Sequence, residues 1–218
     1  MTSFPPRLID GYRNFISGEF EQHKTRYGQL ADAGQNPEAM IIACCDSRAA
    51  PEAVFGCGPG ELLVVRNVAN LVPPYRPDGE YHATSAALEF AVQALRIRNI
   101  IIMGHGRCGG ITAALDPQSE PLSPGDFIGK WVSLLGPTTE AVAGATYMTA
   151  SERQTALERI SIRNSITNLR TFPDIVELEN SGKLMLHGAW FDISTGELWV
   201  MNEDGDFIRP DLAAVRPR

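Results

Sequence analysis

The segment Cys44-Cys45-Asp46-Ser47-Arg48 constrains this chain more than any other, because of what flanks it. The apolar run Ala39-Met40-Ile41-Ile42-Ala43 precedes it. Pro51, a residue suited to the first turn of a helix, follows. The pattern predicts a buried strand, a tight loop and a helix, with a thiol, a carboxylate and a guanidinium at the strand's carboxyl end. A second unit has the same form: Ile100-Ile101-Ile102-Met103 leads into His105-Gly106-Arg107-Cys108-Gly109-Gly110. Two thiols and one imidazole at the ends of two strands make a three-ligand metal site. Zinc suits those donors best, with the fourth position left to water.

Side chains alternate along a strand, so Cys44 and Asp46 share a face and Cys45 takes the other. Cys44 is therefore the expected ligand. Cys45 and Cys57 are expected to pack as small hydrophobes. The four cysteines are unevenly spaced in a chain of 218 residues, which suits a reduced compartment and metal binding better than a disulfide framework. With two thiolates and a neutral imidazole, bound zinc carries no net charge. Asp46 beside it is expected to accept a hydrogen bond from water, and a pair with Arg48 to keep it off the metal.

The remaining chain supplies the scaffold. Leu8, Ile9, Tyr12, Phe15, Ile16 and Phe20 recur at helical spacing, predicting a helical arm over residues 1–34, although Gly11, Gly18 and Gly28 weaken it. Residues 35–218 are expected to form one zinc-binding α/β domain. Strands are predicted at Met40 to Cys45, Glu61 to Arg66 and Asn99 to Gly104, and a C-terminal hairpin pairs Leu184 to Ile193 with Leu198 to Asn202. Helices are predicted at Tyr81 to Arg96, at Cys108 to Leu115, two or three times between Ser123 and Thr171, and from Pro173. Ile160, Ile162, Ile166 and Leu169 form one apolar face. The fold class is α/β: a mainly parallel sheet of about four strands plus an antiparallel C-terminal strand, flanked by helices. Ligands of such sheets gather beyond the carboxyl ends of strands where strand order reverses. Both thiol-bearing loops fall at strand carboxyl ends, so they converge if the first and third strands are neighbours.

A net charge of -7 argues against a nucleic-acid partner. No apolar run approaches bilayer length, so no membrane partner is expected. The start of the chain has no apolar signal-peptide core, which makes the cytoplasm the expected location.

Taken together, Cys44-x-Asp46-Ser47-Arg48 and His105-x-x-Cys108-Gly109-Gly110 resemble the zinc signature of the β-class carbonic anhydrases. Arg66-Asn67-Val68-Ala69-Asn70-Leu71-Val72-Pro73-Pro74 and Leu186-His187-Gly188-Ala189-Trp190-Phe191-Asp192 resemble two further family segments. The resemblance implies that Cys44, His105 and Cys108 hold one zinc ion per chain and that Asp46 and Arg48 form a catalytic dyad. Gln35 matches a substrate-binding glutamine of the plant-like branch, and Gly109 falls where the family supplies a backbone N–H. Leu63 and Phe90 stand where plant-like pockets commonly have phenylalanine and tyrosine. Ile41 replaces the tryptophan of the bicarbonate-regulated branch, which favours open zinc coordination. The implied activity is that of a carbonate dehydratase, a lyase interconverting carbon dioxide and bicarbonate, in a homodimer or higher homo-oligomer with the site near the subunit interface.

On that reading carbon dioxide occupies an apolar slot lined by Leu63, Val68 and Phe90, with Gln35 donating to an oxygen. Tyr81 and His82 are candidate proton relays. Three rivals remain: a related zinc hydrolase acting on carbonyl sulfide or carbon disulfide, a structural zinc protein, and a redox protein. The structural zinc protein lacks a fourth protein ligand other than Asp46, and the redox protein lacks a Cys-x-x-Cys pair.

Overall fold

The computed structural model describes residues 4–80, 82–116, 118 and 120–213. The run before Cys44 forms strand β1 (Ala39–Cys44), and all six of its residues are buried. Burial on both faces is what a central parallel strand requires. Around it the described residues form β2 (Leu62–Asn67), β3 (Asn99–His105), β4 (Met185–Phe191), β5 (Leu198–Met201) and β6 (Phe207–Ile208), in the order β2-β1-β3-β4-β5-β6. The first three pairings along that order, β2 to β1, β1 to β3 and β3 to β4, are parallel; those of β4 with β5 and β5 with β6 are antiparallel. The predicted neighbourhood of the first and third strands is thus present. The sheet carries one antiparallel strand more than expected: β6 is only two residues long, too short to show a period.

Alternation sorts the core. Met40, Ile42, Ile100 and Ile102 face one cluster, while Ile41, Ala43, Ile101 and Met103 face another. The first cluster is closed by helices α4 (Ala83–Glu89), α8 (Ala150–Leu169) and α9 (Pro173–Asn180), through Leu88, Ile162, Ile166, Leu169 and Ile175. Helix α8 lies against β3 and β4. It starts on a capping box in which Thr149 Oγ1 accepts from Glu152 N and the Glu152 carboxylate accepts from Thr149 N. Its buried stripe is Leu157, Glu158, Ser161, Ile162, Ser165, Ile166 and Leu169. Ile160, expected on that face, packs instead at the edge of the cluster around Cys44 and Cys108.

The predicted N-terminal helix is present as α1 (Pro6–Phe15) and α2 (Glu21–Ala33), joined by a π turn at Ile16–Phe20 that contains Gly18. No described residue of either helix is buried, and Leu8, Ile9, Tyr12 and Ile16 lie exposed. The other helices are α3 (Pro51–Phe55), with Pro51 in its first turn, α5 (Gly109–Leu115), α6 (Phe127–Val132) and α7 (Thr138–Ala143). No helix is long and apolar enough to cross a membrane among the described residues.

Candidate metal centre

Strand order reverses between β1 and β3, so their carboxyl ends open one crevice. Cys44 is the last residue of β1 and His105 the last of β3. Arg107, at φ 58°, turns the chain through the left-handed region and brings Cys108 back as the N-cap of α5. The ligand atoms of Cys44, His105 and Cys108 lie within 4.8 Å of one another, and all three residues are buried. The two Sγ atoms are 3.8 Å apart.

This donor set fits a zinc ion. His105 Nδ1 lies 2.9 Å from the Gly106 carbonyl, which can only accept, so the proton sits on Nδ1. That leaves a lone pair on Nε2, a buried atom with no hydrogen-bond partner. Such an orphan is costly unless something else fills its place. Hydrogen bonding from Cys108 draws the Cys44 thiol down to about 4, against the effect of burial. The same contact pushes Cys108 up. One proton shared between two buried sulfurs occupies the place that a divalent cation takes when both are thiolates. Burial pulls His105 down, but Cys44 and the Gly106 carbonyl outweigh it and leave it raised. Ala69 N donates to Cys44 Sγ at 3.4 Å.

Asp46 stands beside the triad, its Oδ2 3.8 Å from His105 Nε2. Arg48 grips it from the other side. Its backbone N and Nε both donate to Oδ1 at 2.9 Å, and Nη2 donates to Oδ2 at 2.7 Å. These bonds, led by the Arg48 side chain, hold the Asp46 carboxyl well below the usual carboxylate range. The carboxylate is therefore an acceptor at neutral pH, with both oxygens turned toward the arginine. Arg66 braces the loop from below, donating to the carbonyls of Cys44 and Asp46.

The other predicted residues divide. Val68 and Gly109 lie at the crevice. Val68 opens a 3-10 turn, Val68–Asn70, and packs against the cluster holding Cys44 and Cys108. A Cβ at Gly110 would come within 2.6 Å of Val68 Cγ1, so the glycine lets the two loops close. An open apolar depression lined by Asn67, Val68, Phe127, Ile128 and Trp131 adjoins it. Gln35, Leu63 and Phe90 are not brought to the triad of their own chain. Leu63 pairs with Met40, four residues down the strand from the pairing of Asn67 with Cys44, or roughly 13 Å. Gln35 precedes the amino end of β1, whereas Cys44 ends it. Phe90 starts a π turn after α4 and is 49% exposed. His82 Nε2 lies 2.7 Å from Asp78 Oδ1, and Tyr81 lies outside the described residues.

Two features differ from expectation. Cys45 is exposed rather than packed, because strand pairing stops at Cys44 and the chain turns out, with Ala49 N bonded to Asp46 O. Glu158 was not anticipated. It is 1% exposed, and its carboxylate accepts from Cys108 N at 3.0 Å, Gln154 Nε2 at 3.1 Å and Trp190 Nε1 at 3.1 Å. Burial pushes this carboxyl up, and the N–H groups of Cys108 and Trp190 pull against it. The signal was a carboxylate at position 158 on the stripe shared with Ser161, Ile162 and Ser165.

The family model for Carbonic anhydrase matches residues 39–198, which span both thiol-bearing loops and the sheet from β1 to the start of β5. The chain belongs to the β-class carbonic anhydrases. It is 40% identical over 189 residues to Beta carbonic anhydrase 5, chloroplastic, of Arabidopsis thaliana, covering 84% of this chain. This chain spans 60% of that relative's length. Among solved structures, the beta-carbonic anhydrase CcaA superposes with a TM-score of 0.87 at 30% identity, covering 94% of this chain and 92% of that one. One of two tetrameric beta-carbonic anhydrases from Sordaria macrospora gives 0.76 at 26% identity, covering 90% of this chain and 95% of that one. The family is that of the resemblance carried by the Cys-x-Asp-Ser-Arg and His-x-x-Cys loops.

Proposed function

We propose that this chain hydrates carbon dioxide reversibly to bicarbonate and a proton, as a carbonate dehydratase of the plant-like branch. One zinc ion per chain would be held by Cys44, His105 and Cys108. When bound there, zinc supplies Lewis-acid activation of water near neutral pH. The protein's own residues do the rest. The Nδ1–H bond to Gly106 keeps the His105 ring turned with Nε2 inward. Asp46 accepts a hydrogen bond from water in the crevice and orients it. Arg48 occupies both Asp46 oxygens, so that Asp46 would not add itself to the ligands of a zinc ion held there. Gly109 offers a backbone N–H to a substrate oxygen. Val68 keeps one wall of the slot apolar, so that carbon dioxide meets no competing hydrogen-bond donor.

The observation that carries this reading is the convergence of two buried thiols and an orphaned imidazole nitrogen beside a carboxylate clamped by an arginine. In one chain the slot lacks Gln35, Leu63 and Phe90. A second copy completing it agrees with the exposed Phe90 and with the exposed apolar side chains of α1. The chain is accordingly assigned as a homodimer or higher homo-oligomer; the Sordaria relatives are tetrameric by their own description. The unbridged thiols of Cys44, Cys45 and Cys108 suit a reducing compartment, and the cytoplasm is the assignment. Stopped-flow hydration of carbon dioxide by the zinc-loaded chain tests the activity. The expected result is turnover lost on Cys44→Ala together with bound zinc. A zinc-loaded chain that leaves the uncatalysed rate unchanged refutes it.

A further inference from the structure

We infer that Glu158 is a positioning residue for the metal centre: its buried carboxylate fixes the peptide that carries Cys108 and, through that peptide, the clamp on Asp46. The inference rests on the reading of Cys44, His105 and Cys108 as zinc ligands.

Three separate elements meet at this side chain. Oε1 takes the backbone N–H of Cys108 from the β3–α5 loop and the amide of Gln154 from α8, and Oε2 takes the indole N–H of Trp190 from β4. A backbone N–H and an indole N–H can only donate, and here they point at different oxygens. Only a group with two acceptors and no donor satisfies both. A glutamine at 158, however turned, faces one of them with its own NH2. The carboxylate is therefore specified by its donors and is not a substitute for a hydrophobe.

What it holds is the peptide between Arg107 and Cys108. The N–H of that peptide goes to Glu158 at 3.0 Å, and its carbonyl, Arg107 O, accepts from Arg48 Nη2 at 3.2 Å. The same Nη2 donates to Asp46 Oδ2 at 2.7 Å. The peptide plane is thus pinned on both edges, one by Glu158 and one by the arginine that restrains Asp46. Rotating it moves the Cys108 Sγ and withdraws a partner from Arg48 together. Trp190 is itself held in place. The Arg159 guanidinium sits 4.7 Å from the centre of the Trp190 ring, 5.0 Å from that of Trp199 and 5.4 Å from that of Phe207. The antiparallel extension formed by β5 and β6 thereby sets the direction of the indole N–H and so supports the centre from behind.

The test uses the full chain in four forms: wild type, Glu158→Gln, Trp190→Phe and the double variant. Zinc affinity is measured by chelator competition, and the cobalt-substituted forms are compared by absorption, which reports thiolate geometry independently of turnover. Glu158→Gln should weaken zinc roughly 10- to 100-fold and shift the thiolate-to-cobalt bands. Trp190→Phe, which removes the donor and keeps a ring, should weaken it less. The double variant should recover most of the loss, because the glutamine NH2 then faces no N–H. A folded Glu158→Gln with zinc affinity within about twofold of wild type and unchanged bands overturns the inference. So does a double variant as weak as Glu158→Gln. Should Glu158→Gln not fold, an unaltered zinc affinity in Trp190→Phe overturns it. Failure of the wild type to take up zinc would instead defeat the proposed function itself.

Discussion

At Ile162 helix α8 approaches strands β3 and β4 closely, and the contact sits next to a ligand. It is fully buried, and its side chain fills a notch made by Gly104 on β3 and Gly188 on β4. A Cβ on Gly104 would lie 2.8 Å from Ile162 Cδ1 and 3.0 Å from Cγ1, and one on Gly188 would lie 2.9 Å from Cγ2. Carbon atoms pack best at about 3.5–4.0 Å, so Gly104→Ala forces a displacement of about 1 Å between β3 and α8. Overpacking of this kind costs about 1–3 kcal/mol. Ile162→Ala has the opposite defect, an emptied notch, and costs about 2–5 kcal/mol. In the double variant the new methyl group enters the vacated space. The combined loss should fall short of additivity by about 1–2 kcal/mol, within the range for residues in contact. Urea unfolding of the chelator-treated protein, at one fixed chain concentration, measures each value. Because Gly104 immediately precedes His105, Gly104→Ala should also weaken zinc, and Ile162→Ala should restore part of that affinity. Additivity within about 0.5 kcal/mol would refute the argument, since it would mean that the notch and its plug are not coupled.

Asp46→Asn should keep zinc at full occupancy and lower turnover on the order of 100-fold, because the amide loses one acceptor from the clamp; stopped-flow rates at equal metal content decide it. Asp192 predicts an acid limb of stability. The Ser194 hydroxyl and backbone N–H donate to its Oδ1 at 2.6 and 2.8 Å and hold its carboxyl below the ordinary value. A depressed folded value stabilises above the unfolded-state pKa of about 3.9 and loses that contribution as pH falls through the folded one. Asp192→Asn should therefore be less stable than wild type at neutral pH and should show a shallower decline in urea midpoint below about pH 4. Equal slopes would remove Asp192 from the account.

What the sequence discloses follows from where each signal is local. The alternation through Met40, Ile42 and Cys44 places a ligand at a strand end without knowledge of any other strand, and Asp46 and Arg48 pair across two residues of loop. The neighbourhood of β1 and β3 follows from chemistry: two thiol-bearing loops and an imidazole have reason to converge only if those strands pair. Cys45 was misread because alternation was continued past the last paired residue; once the chain leaves the strand, parity no longer assigns a face. Strand β6 was missed because two residues carry no period, and the π turn at Ile16–Phe20 because helical spacing does not register an added residue. Glu158 is 50 positions from Cys108, so the contact that explains it is long-range. Its place on the buried stripe of α8 was nonetheless visible in the spacing to Ser161, Ile162 and Ser165. Gln35, Leu63 and Phe90 were assigned by likeness to relatives, and the strand register sets Leu63 away from the Cys44 of its own chain.

The central claim is that one zinc ion is gripped by two sulfurs and one ring nitrogen of this chain. Zinc-edge X-ray absorption of the purified, zinc-loaded protein measures it directly. The account predicts two sulfur scatterers at about 2.3 Å and light scatterers at about 2.0–2.1 Å, with zinc lost altogether in Cys44→Ala and both sulfurs kept in Cys45→Ala. A metal shell without sulfur, or one that loses a sulfur on replacement of Cys45, would contradict it.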